Sequence, residues 1–406
     1  MTENFKFLMD AFGKAVRGEK MPEGESVDIN AVMHLAENQG VKQIIFSSLC
    51  ENYDVSAYEL STLSAVAQNI RKNNFIYGIV QKLEENSIEC LYLKGITVSR
   101  FYSEPDARIS GDTDIFVNKK DVRKLRKILE ENGFKLESFS EAMYHFEAHH
   151  PVGGLLEVHY SFYRDKVKDL IFKDRLRYDE PRIELEINGI KVKTLGINDA
   201  LNYLTAHMVK HFITDGLALR QIMDLLLYMN HYKAEISTEA YRKLWKELGF
   251  LEFIDTVSGI GTKYWGFDFG EYSDENVEKL LSDIENGGLF GFNEKERKDF
   301  LEVFFAQKYK GESETVEKYM NKNPVKRICG LLFPTKTYMK AKGYTGVEKG
   351  ICLPFSYIHR LWDLFIMVLK GKKSIKKSVS YSTYKIDNTV QSDRIELMKE
   401  LGMLEK

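Results

Sequence analysis

The chain has 406 residues, of which 44% are hydrophobic and 29% are charged, and its formal net charge is −2. This composition is typical of a folded protein rather than a disordered one, and the length favours two or three structural units over a single core. The near balance of charge argues against general nucleic-acid binding, which needs an excess of Lys and Arg.

The cysteines and the apolar segments predict a reduced, cytoplasmic protein with no membrane span. The four cysteines have no spacing typical of a zinc or redox motif: Cys50, Cys90, Cys329 and Cys352. Asp10 and Lys14 interrupt the first apolar stretch, so no signal peptide is expected. The most hydrophobic late segment, 353–369, contains charged residues and is shorter than the roughly 20 residues that a spanning helix needs.

The first 85 residues are predicted to be helical. In their second half, apolar residues recur three and four positions apart, which indicates one buried stripe. Its members are Leu63, Val66, Ala67, Ile70, Tyr77, Val80 and Leu83.

Short apolar runs then predict a central unit that contains strands. The strand candidates are 88–93, 113–117, 144–149, 155–162 and, as a hairpin around Asn188-Gly189, 183–193. The turn 151–154 joins the third and fourth of these strands. A helix is predicted over 122–129 and is ended by Asn132-Gly133.

After residue 197 the pattern is helical again. Asn198-Asp199 is expected to cap a helix that reaches Phe212; a second helix follows Gly216, and further helices are predicted across 238–320. The predicted organisation is therefore an α+β core between two helical regions, with bounds of 1–85, 86–195 and 196–406.

Two carboxylates stand at the start of the strand candidate 113–117. Asp112 and Asp114 are two residues apart, so both side chains are expected on one face of the strand. Carboxylates in this arrangement can share divalent cations about 3.5–4 Å apart for in-line displacement at phosphorus, and magnesium prefers such hard oxygen ligands. Glu157, on a later strand, is predicted to supply a third carboxylate. His159 lies two residues further along the same face, where it can orient a carboxylate or contact substrate.

Two cationic residues precede the acids. Lys94-Gly95 lies where a strand ends and a helix is expected to begin, and helix N-termini favour anions. Arg108 is the other cation close to the acids in sequence, and its planar fork suits a triphosphate.

Each of these signals is weak by itself. An isolated Asp-x-Asp is mostly a turn or surface pair, a Lys-Gly after a strand is usually a turn, and a lone histidine in a strand is more often a hydrogen-bonded core residue. The order along the chain is more specific: strand, Lys-Gly, helix, Arg, Asp-x-Asp on a strand, helix, and then an acid on a later strand.

That order resembles the nucleotidyltransferases of the DNA polymerase β-like superfamily, and more closely a bacterial family called uncharacterised nucleotidyltransferases. The likeness covers about 90–230 and is carried by Leu93-Lys94-Gly95, Tyr102, Pro105, Arg108, Asp112–Val117, Glu157–Tyr160, His207–His211 and Leu219–Asp224. Three positions depart from the superfamily pattern. Lys94-Gly95 stands where Gly-Ser is general, Glu157 where Asp is common, and Tyr160 where Trp is frequent.

The resemblance implies an α+β fold: a small mixed β-sheet core with predominantly helical N- and C-terminal regions. It also implies a nucleoside triphosphate, ATP among the candidates, as donor, and Mg²⁺ or Mn²⁺ as cofactor. The expected catalytic residues and metal ligands are Asp112, Asp114 and Glu157. The expected nucleotide-binding residues are Lys94, Gly95, Arg108, Gly111 and His159.

Further polar residues have a role that the pattern leaves open. His207 and His211 share one helix face, as do Arg220 and Asp224 on the next helix. One interpretation places His211 or Arg220 at the edge of the nucleotide cleft, and helix packing is the more common outcome. An apolar stripe over 361–369, followed by lysines up to 377, can lie at an anionic membrane surface or polyanion, but such a stripe is more often core.

The sequence therefore predicts transfer of a nucleoside monophosphate from an NTP to an unidentified acceptor (small molecule, glycan or protein) with release of pyrophosphate. Lys94 and Arg108 are expected to neutralise the triphosphate, since phosphoryl transfer depends on positioning and charge neutralisation. The alternatives are a non-catalytic nucleotide-sensing or interaction module that retains the fold, and a protein-nucleotidylating enzyme.

Overall fold

The computed structural model describes residues 1–24, 26–137, 144–163, 171–187, 189–214, 216–287, 357–358 and 389–404. The helices are α1 Glu3–Arg17, α2 Ile29–Asn38, α3 Lys42–Leu49, α4 Ser56–Glu85, α5 Ile96–Ser99, α6 Val122–Glu131, α7 Ile197–Thr214, α8 Leu219–His231, α9 Thr238–Glu247, α10 Leu251–Trp265, α11 Asp274–Gly287 and α12 Thr389–Glu400. The strands are β1 Cys90–Tyr92, β2 Asp112–Val117, β3 Lys135–Leu136, β4 His145–His150, β5 Gly154–His159, β6 Ile183–Ile187 and β7 Ile190–Thr194.

The strands form one seven-stranded mixed sheet in the order β3-β4-β5-β2-β1-β7-β6. The β2–β5 and β1–β7 pairs are parallel, and the other neighbours are antiparallel. All the described strands lie between residues 90 and 194, with helices before and after them. The α+β fold class expected from the sequence is confirmed.

The two faces of the sheet differ in chemistry because side chains alternate along each strand. On one face, Ile115 and Val117 of β2 pack into a core with the second half of α4 and with α6. The opposite face carries the alternate residues Asp112 and Asp114. The sheet therefore has a dry apolar layer on one side and a polar row on the other.

The local turn predictions agree with the structure. Strands β6 and β7 pair as a hairpin in which Ile187 lies opposite Ile190, and Gly189 in the turn has a φ of 76°. Helix α6 ends next to Gly133, whose φ of 87° is the left-handed conformation that glycine adopts readily.

The predicted buried stripe of α4 is wrong in its first half. Leu63 and Ile70 are 57% and 38% exposed, whereas the polar residues Asn69 and Lys72 of the same helix are buried. This half of α4 packs against the 105–111 segment, which presents backbone carbonyls that polar side chains satisfy. The second half, which includes Tyr77, is buried as predicted.

The cap of α7 also differs from the prediction. The helix begins at Ile197, so Asn198 and Asp199 lie inside its first turn, and their side-chain oxygens accept hydrogen bonds from the N–H groups of Ser237 and Glu180. Instead, the carboxylate of Glu180 accepts hydrogen bonds from the N–H groups of Asn198 and Asp199 at 2.8 and 3.2 Å. A long-range partner therefore satisfies these N–H groups of the first turn.

Several predictions lie outside the described residues: helices beyond 287, the 361–377 stripe and lysines, and Cys329 and Cys352. Cys50 and Cys90 are free thiols. Within the described part of the chain, no helix is both long and apolar enough to cross a membrane.

Candidate active site

Three carboxylates lie on the polar face of two adjacent strands. Because β2 and β5 are parallel, Asp112 is in register with Leu155 and Asp114 with Glu157. Asp114 is almost fully buried, and Asp112 and Glu157 are half-buried. The pleat therefore brings together the three acids that the sequence analysis selected.

The same row of carboxylates continues across the sheet. Glu157 is in register with Glu147 of β4, and Glu137, just after β3, donates its N–H to the Glu147 carbonyl. Burial and the charges of Glu137 and Glu157 raise the pKa of Glu147. Like charges on neighbouring strands repel each other, so this face is suited to bind cations.

His159 contacts two of the three carboxylates. Its Nε2 lies 3.1 Å from Asp114 Oδ1 and 3.4 Å from Glu157 Oε2. Burial lowers the pKa of His159, but the hydrogen bonds to Asp114 and Glu157 outweigh it and the pKa is raised. For the Glu157 carboxyl group, burial acts to raise the pKa, but the hydrogen bond and charge of His159 outweigh burial, and the pKa is lowered. This position favours orientation of carboxylates over direct contact with a nucleotide.

The ammonium of Lys94 lies between the two aspartates. Its Nζ is 3.1 Å from Asp114 Oδ2 and 3.4 Å from Asp112 Oδ2. Burial acts to lower the pKa of Lys94, but the charges of Asp114 and Asp112 outweigh it and raise the pKa. For Asp112, Lys94 and the Ser110 hydroxyl, which donates to Oδ1 at 2.9 Å, overcome burial and lower the pKa.

Lys94 also joins the carboxylates to α7. Its Nζ lies 3.0 Å from His207 Nε2, and His211 Nε2 lies 3.1 Å from the same nitrogen of His207. Burial, followed by the charge of Lys94, lowers the pKa of His207 well below its usual range. A neutral His207 can accept a hydrogen bond from the Lys94 ammonium. The pattern of two histidines four residues apart therefore provides a partner for Lys94.

Arg108 lies in a buried ion pair with Asp224 of α8. The Nε group donates to Asp224 Oδ1 at 3.1 Å, and Nη2 bonds Oδ2. Tyr102 donates its hydroxyl to the same Oδ1 at 2.8 Å. Arg108 is only 6% exposed, and its guanidinium group is already bound to the Asp224 carboxylate. The contact joins two of the segments that carry the family resemblance.

The two glycines of the predicted nucleotide site have different settings. Gly95 precedes α5 with φ 70° and ψ −95°, a conformation that side chains rarely adopt, and a Cβ there would lie 3.8 Å from Arg108 Nη1. Gly111 immediately precedes Asp112, is exposed, and has no atom within 4 Å of a Cβ built on it.

Two further cations near the acids bind backbone carbonyls of the 109–110 segment; the sequence analysis considered Arg220 for the edge of the cleft but did not select Lys72. Lys72 of α4 donates to the Ser110 carbonyl at 2.6 Å, and Arg220 of α8 bonds the Ile109 carbonyl. Burial lowers the pKa of Lys72 to about 8. Lys72 is 38 residues from Ser110 in sequence, and the pattern of its helix indicates only an apolar stripe. No local signal marks it.

The model of the family described as uncharacterised nucleotidyltransferase matches residues 25–259. This is more than half of the chain, and the chain belongs to that family. A search of curated proteins gives no match.

The solved structures that the chain matches include a nucleotidyltransferase-like antigen and two CCA-adding enzymes. The antigenic nucleotidyltransferase-like protein from Paracoccidioides brasiliensis is 17% identical, with 48% of this chain and 93% of that chain covered and a TM-score of 0.29. The Thermotoga maritima CCA-adding enzyme complexed with tRNA is 15% identical, with 82% and 92% covered and a TM-score of 0.25. A CCA-adding enzyme in complex with CTP is 14% identical, with 83% and 94% covered and a TM-score of 0.26.

Proposed function

We propose that this nucleotidyltransferase-family protein transfers a nucleoside monophosphate from an NTP to an acceptor and releases pyrophosphate, with divalent metal held by Asp112, Asp114 and Glu157. The observation that carries the proposal is the parallel β2–β5 register, which sets Asp114 beside Glu157 on the face that also holds Asp112. In the reaction an acceptor oxygen forms a bond to the α-phosphorus of the NTP. The bond between the α-phosphorus and the oxygen that links it to the β-phosphorus breaks, and pyrophosphate leaves.

The residues present fit Mg²⁺ or Mn²⁺. Carboxylate oxygens are the ligands that these hard cations prefer. Ligand atoms of Asp114, Glu157 and His159 lie within 4.8 Å of one another, and the ammonium of Lys94, itself a cation, lies between Asp112 and Asp114. When bound, the metal supplies charge neutralisation for the triphosphate and the leaving pyrophosphate.

The protein side chains have distinct tasks in this proposal. Lys94 moves from the aspartates toward the phosphates when metal and nucleotide bind, and His207 remains within reach as its second partner. His159 keeps the carboxylates of Asp114 and Glu157 oriented. Glu157 assists removal of the proton from an acceptor hydroxyl.

We propose that the two predicted nucleotide-binding glycines lie next to the nucleotide, whereas Arg108 does not contact it. Gly95 and Gly111 allow close approach of phosphates to the backbone beside Lys94 and Asp112. Arg108 is committed to Asp224, so we propose that it acts indirectly, by fixing the 108–112 segment against α8. Tyr102 belongs to the same support.

A second candidate is a nucleotide-binding module without catalysis. The observation that favours it is the position of Lys94, whose ammonium pairs with Asp112 and Asp114, two of the carboxylates that would hold a metal ion. If Lys94 stays there permanently, nucleotides bind without metal and no turnover follows.

Binding of the four NTPs, with and without Mg²⁺ or Mn²⁺, separates these candidates. At a ligand concentration 100 times Kd, binding stabilises the fold by about 2.7 kcal/mol, which a thermal-shift measurement detects. We expect at least one NTP to stabilise the full chain only with metal, and to release pyrophosphate on prolonged incubation.

The matched variants are Asp114→Asn in the site and Asp268→Asn on the surface, where Asp268 is 89% exposed. We expect the first to abolish metal-dependent stabilisation and the second to retain it. Stabilisation that is equal without metal, or unchanged in Asp114→Asn, would contradict the metal assignment.

A further inference from the structure

A groove opens beside the carboxylates, on the side of the 109–112 segment that faces α4. It has a volume of about 470 Å³. Its walls are the first half of α4, Ile109-Ser110 and the β4–β5 turn, which contributes Pro151, Val152 and Gly154. This volume lies within the range of roughly 300–1,000 Å³ that is typical of sites for small molecules.

The polar part of the groove is cationic and rich in amides. Arg71 and Lys72 contribute positive charge, and Gln68 and Asn69 contribute amide groups. None of the described residues that line the groove is an Asp or a Glu. Such a lining attracts an anion and discourages a cation.

Two of these polar groups are fixed rather than loose on the surface. Lys72 is 8% exposed and donates to the Ser110 carbonyl at 2.6 Å, and Asn69 is 5% exposed and donates to the Asp106 carbonyl at 3.0 Å. An ammonium has three N–H donors, and among the described residues the structure records one hydrogen bond of Lys72. Arg71 is exposed, and its recorded bond, from Nε to the Ala67 carbonyl, leaves the outer guanidinium nitrogens for a ligand.

Burial lowers the pKa of Lys72 to about 8, and the negative charge of Asp112 offsets this effect only in part. The ammonium is therefore largely removed from water without full compensation of its charge. An anion in the groove stabilises the charged form of Lys72.

Ser110 connects the groove with the carboxylates. Its carbonyl accepts the hydrogen bond of Lys72 on the groove side, and its hydroxyl donates to Asp112 Oδ1 at 2.9 Å. Only Gly111 separates Ser110 from Asp112, the first proposed metal ligand, so a molecule that contacts Ser110 lies close to the proposed metal site. This proximity favours the acceptor of nucleotidyl transfer as the occupant of the groove.

We propose that this groove binds the acceptor, and that the acceptor is a small molecule carrying a phosphate or carboxylate group, which Arg71 and Lys72 recognise. The inference deepens the proposed function and rests on it for the word acceptor; the anion site itself does not depend on it. The apolar part of the wall, Ile109, Pro151 and Val152, contacts the body of the molecule.

The test uses the full chain and ribose 5-phosphate as probe, with ribose as its uncharged parent and inorganic phosphate as the smallest anion. Binding is measured by calorimetry at pH 7 without metal or nucleotide. Arg71→Gln removes one cation, and Val152→Trp fills the groove; both positions are exposed, with Val152 51% accessible, so the fold is expected to tolerate them.

The controls match the variants in chemistry and exposure. Arg123→Gln changes an exposed arginine of α6 outside the groove, and Leu60→Trp adds the same ring at a residue of α4 that is 81% exposed. We expect saturable binding of ribose 5-phosphate, at least tenfold weaker in Arg71→Gln and in Val152→Trp, and unchanged in both controls. Ribose should not bind.

Two results would overturn the proposal: no saturable binding of ribose 5-phosphate or phosphate at millimolar concentration, or binding that neither groove variant weakens. The Asp114→Asn variant separates this outcome from a failure of the proposed function. It should lose metal-dependent NTP binding and keep ribose 5-phosphate binding. If the wild type binds the probe in the groove but no NTP with metal, the anion site stands and the enzymatic role falls.

Discussion

Replacement of Lys94 by Met should increase the affinity of the nucleotide-free protein for Mn²⁺. The ammonium lies 3.1 and 3.4 Å from the two aspartates, where it competes for carboxylate oxygens that are proposed to hold metal. At 3.1 Å, a unit charge pair interacts by about 1 kcal/mol at the dielectric of water and by about 5 kcal/mol at an effective value of 20. When metal binds to the wild type, the ammonium is displaced toward His207 and water, and these new contacts recover most of that energy. We expect the unrecovered part to be about 1.4 kcal/mol. Lys94→Met has no ammonium to displace and should therefore bind Mn²⁺ about tenfold more tightly.

The assay is a titration with Mn²⁺ in which free Mn²⁺ is followed by electron paramagnetic resonance, without nucleotide. Lys127→Met serves as a control, because Lys127 is 78% exposed on α6. We expect tenfold tighter Mn²⁺ binding by Lys94→Met and at least tenfold weaker NTP binding. An equal or lower Mn²⁺ affinity in Lys94→Met would refute the idea that Lys94 competes with metal.

Three further predictions concern the support of the site. Asp224→Asn leaves buried Arg108 without its charge partner and should lower the free energy of unfolding by about 3–5 kcal/mol in urea titrations, whereas Tyr102→Phe should cost about 1 kcal/mol; equal losses would contradict the ion-pair account. Burial holds the pKa of His207 well below 6.5 in the folded protein, so below pH 6.5 a proton binds this histidine in the unfolded chain first. The free energy of unfolding of the wild type should therefore fall by up to about 1.4 kcal/mol per pH unit relative to His207→Gln. Equal pH profiles of the two proteins would argue against a neutral His207. Gly95→Ala should cost roughly 1–3 kcal/mol through backbone strain, since its φ is 70° and a Cβ there makes only an ordinary contact, at 3.8 Å from Arg108 Nη1. An unchanged melting temperature would exclude that strain.

The proposed carboxylate cluster could be predicted because it depends on local rules. Spacing of two residues puts Asp112 and Asp114 on one strand face, and the same rule applies to Glu157 and His159 on β5. The parallel pairing of β2 with β5 then brings the two pairs together. The sequence analysis predicted Glu157 on a later strand, but it did not predict this pairing, since strand spacing alone does not specify which strands are neighbours.

The partners of the cations could not be predicted in the same way. Arg108 is 116 residues from Asp224, and Lys94 is 113 residues from His207. Such contacts depend on how α7 and α8 pack on the sheet. A charge near the acids in sequence looked available for phosphate, although in the fold Arg108 is already paired.

The error at α4 has a related cause. Periodicity identifies a face of a helix, but it does not specify what the neighbouring segment offers. Asn69 and Lys72 are buried because backbone carbonyls of Asp106 and Ser110 need donors, while Leu63 and Ile70 remain exposed. At α7, Glu180 acts similarly as a cap from outside the helix. Hydrogen-bond demand outweighed hydrophobic periodicity at these positions.

The central claim is that Asp112 and Asp114 hold a divalent cation for an NTP. The most direct measurement is anomalous X-ray scattering from crystals of the full chain with Mn²⁺ and a non-hydrolysable ATP analogue. We predict a manganese peak bonded by both aspartates, with the Lys94 ammonium displaced toward the phosphates. Bound nucleotide with no manganese at these carboxylates, and Lys94 still between them, would contradict the claim.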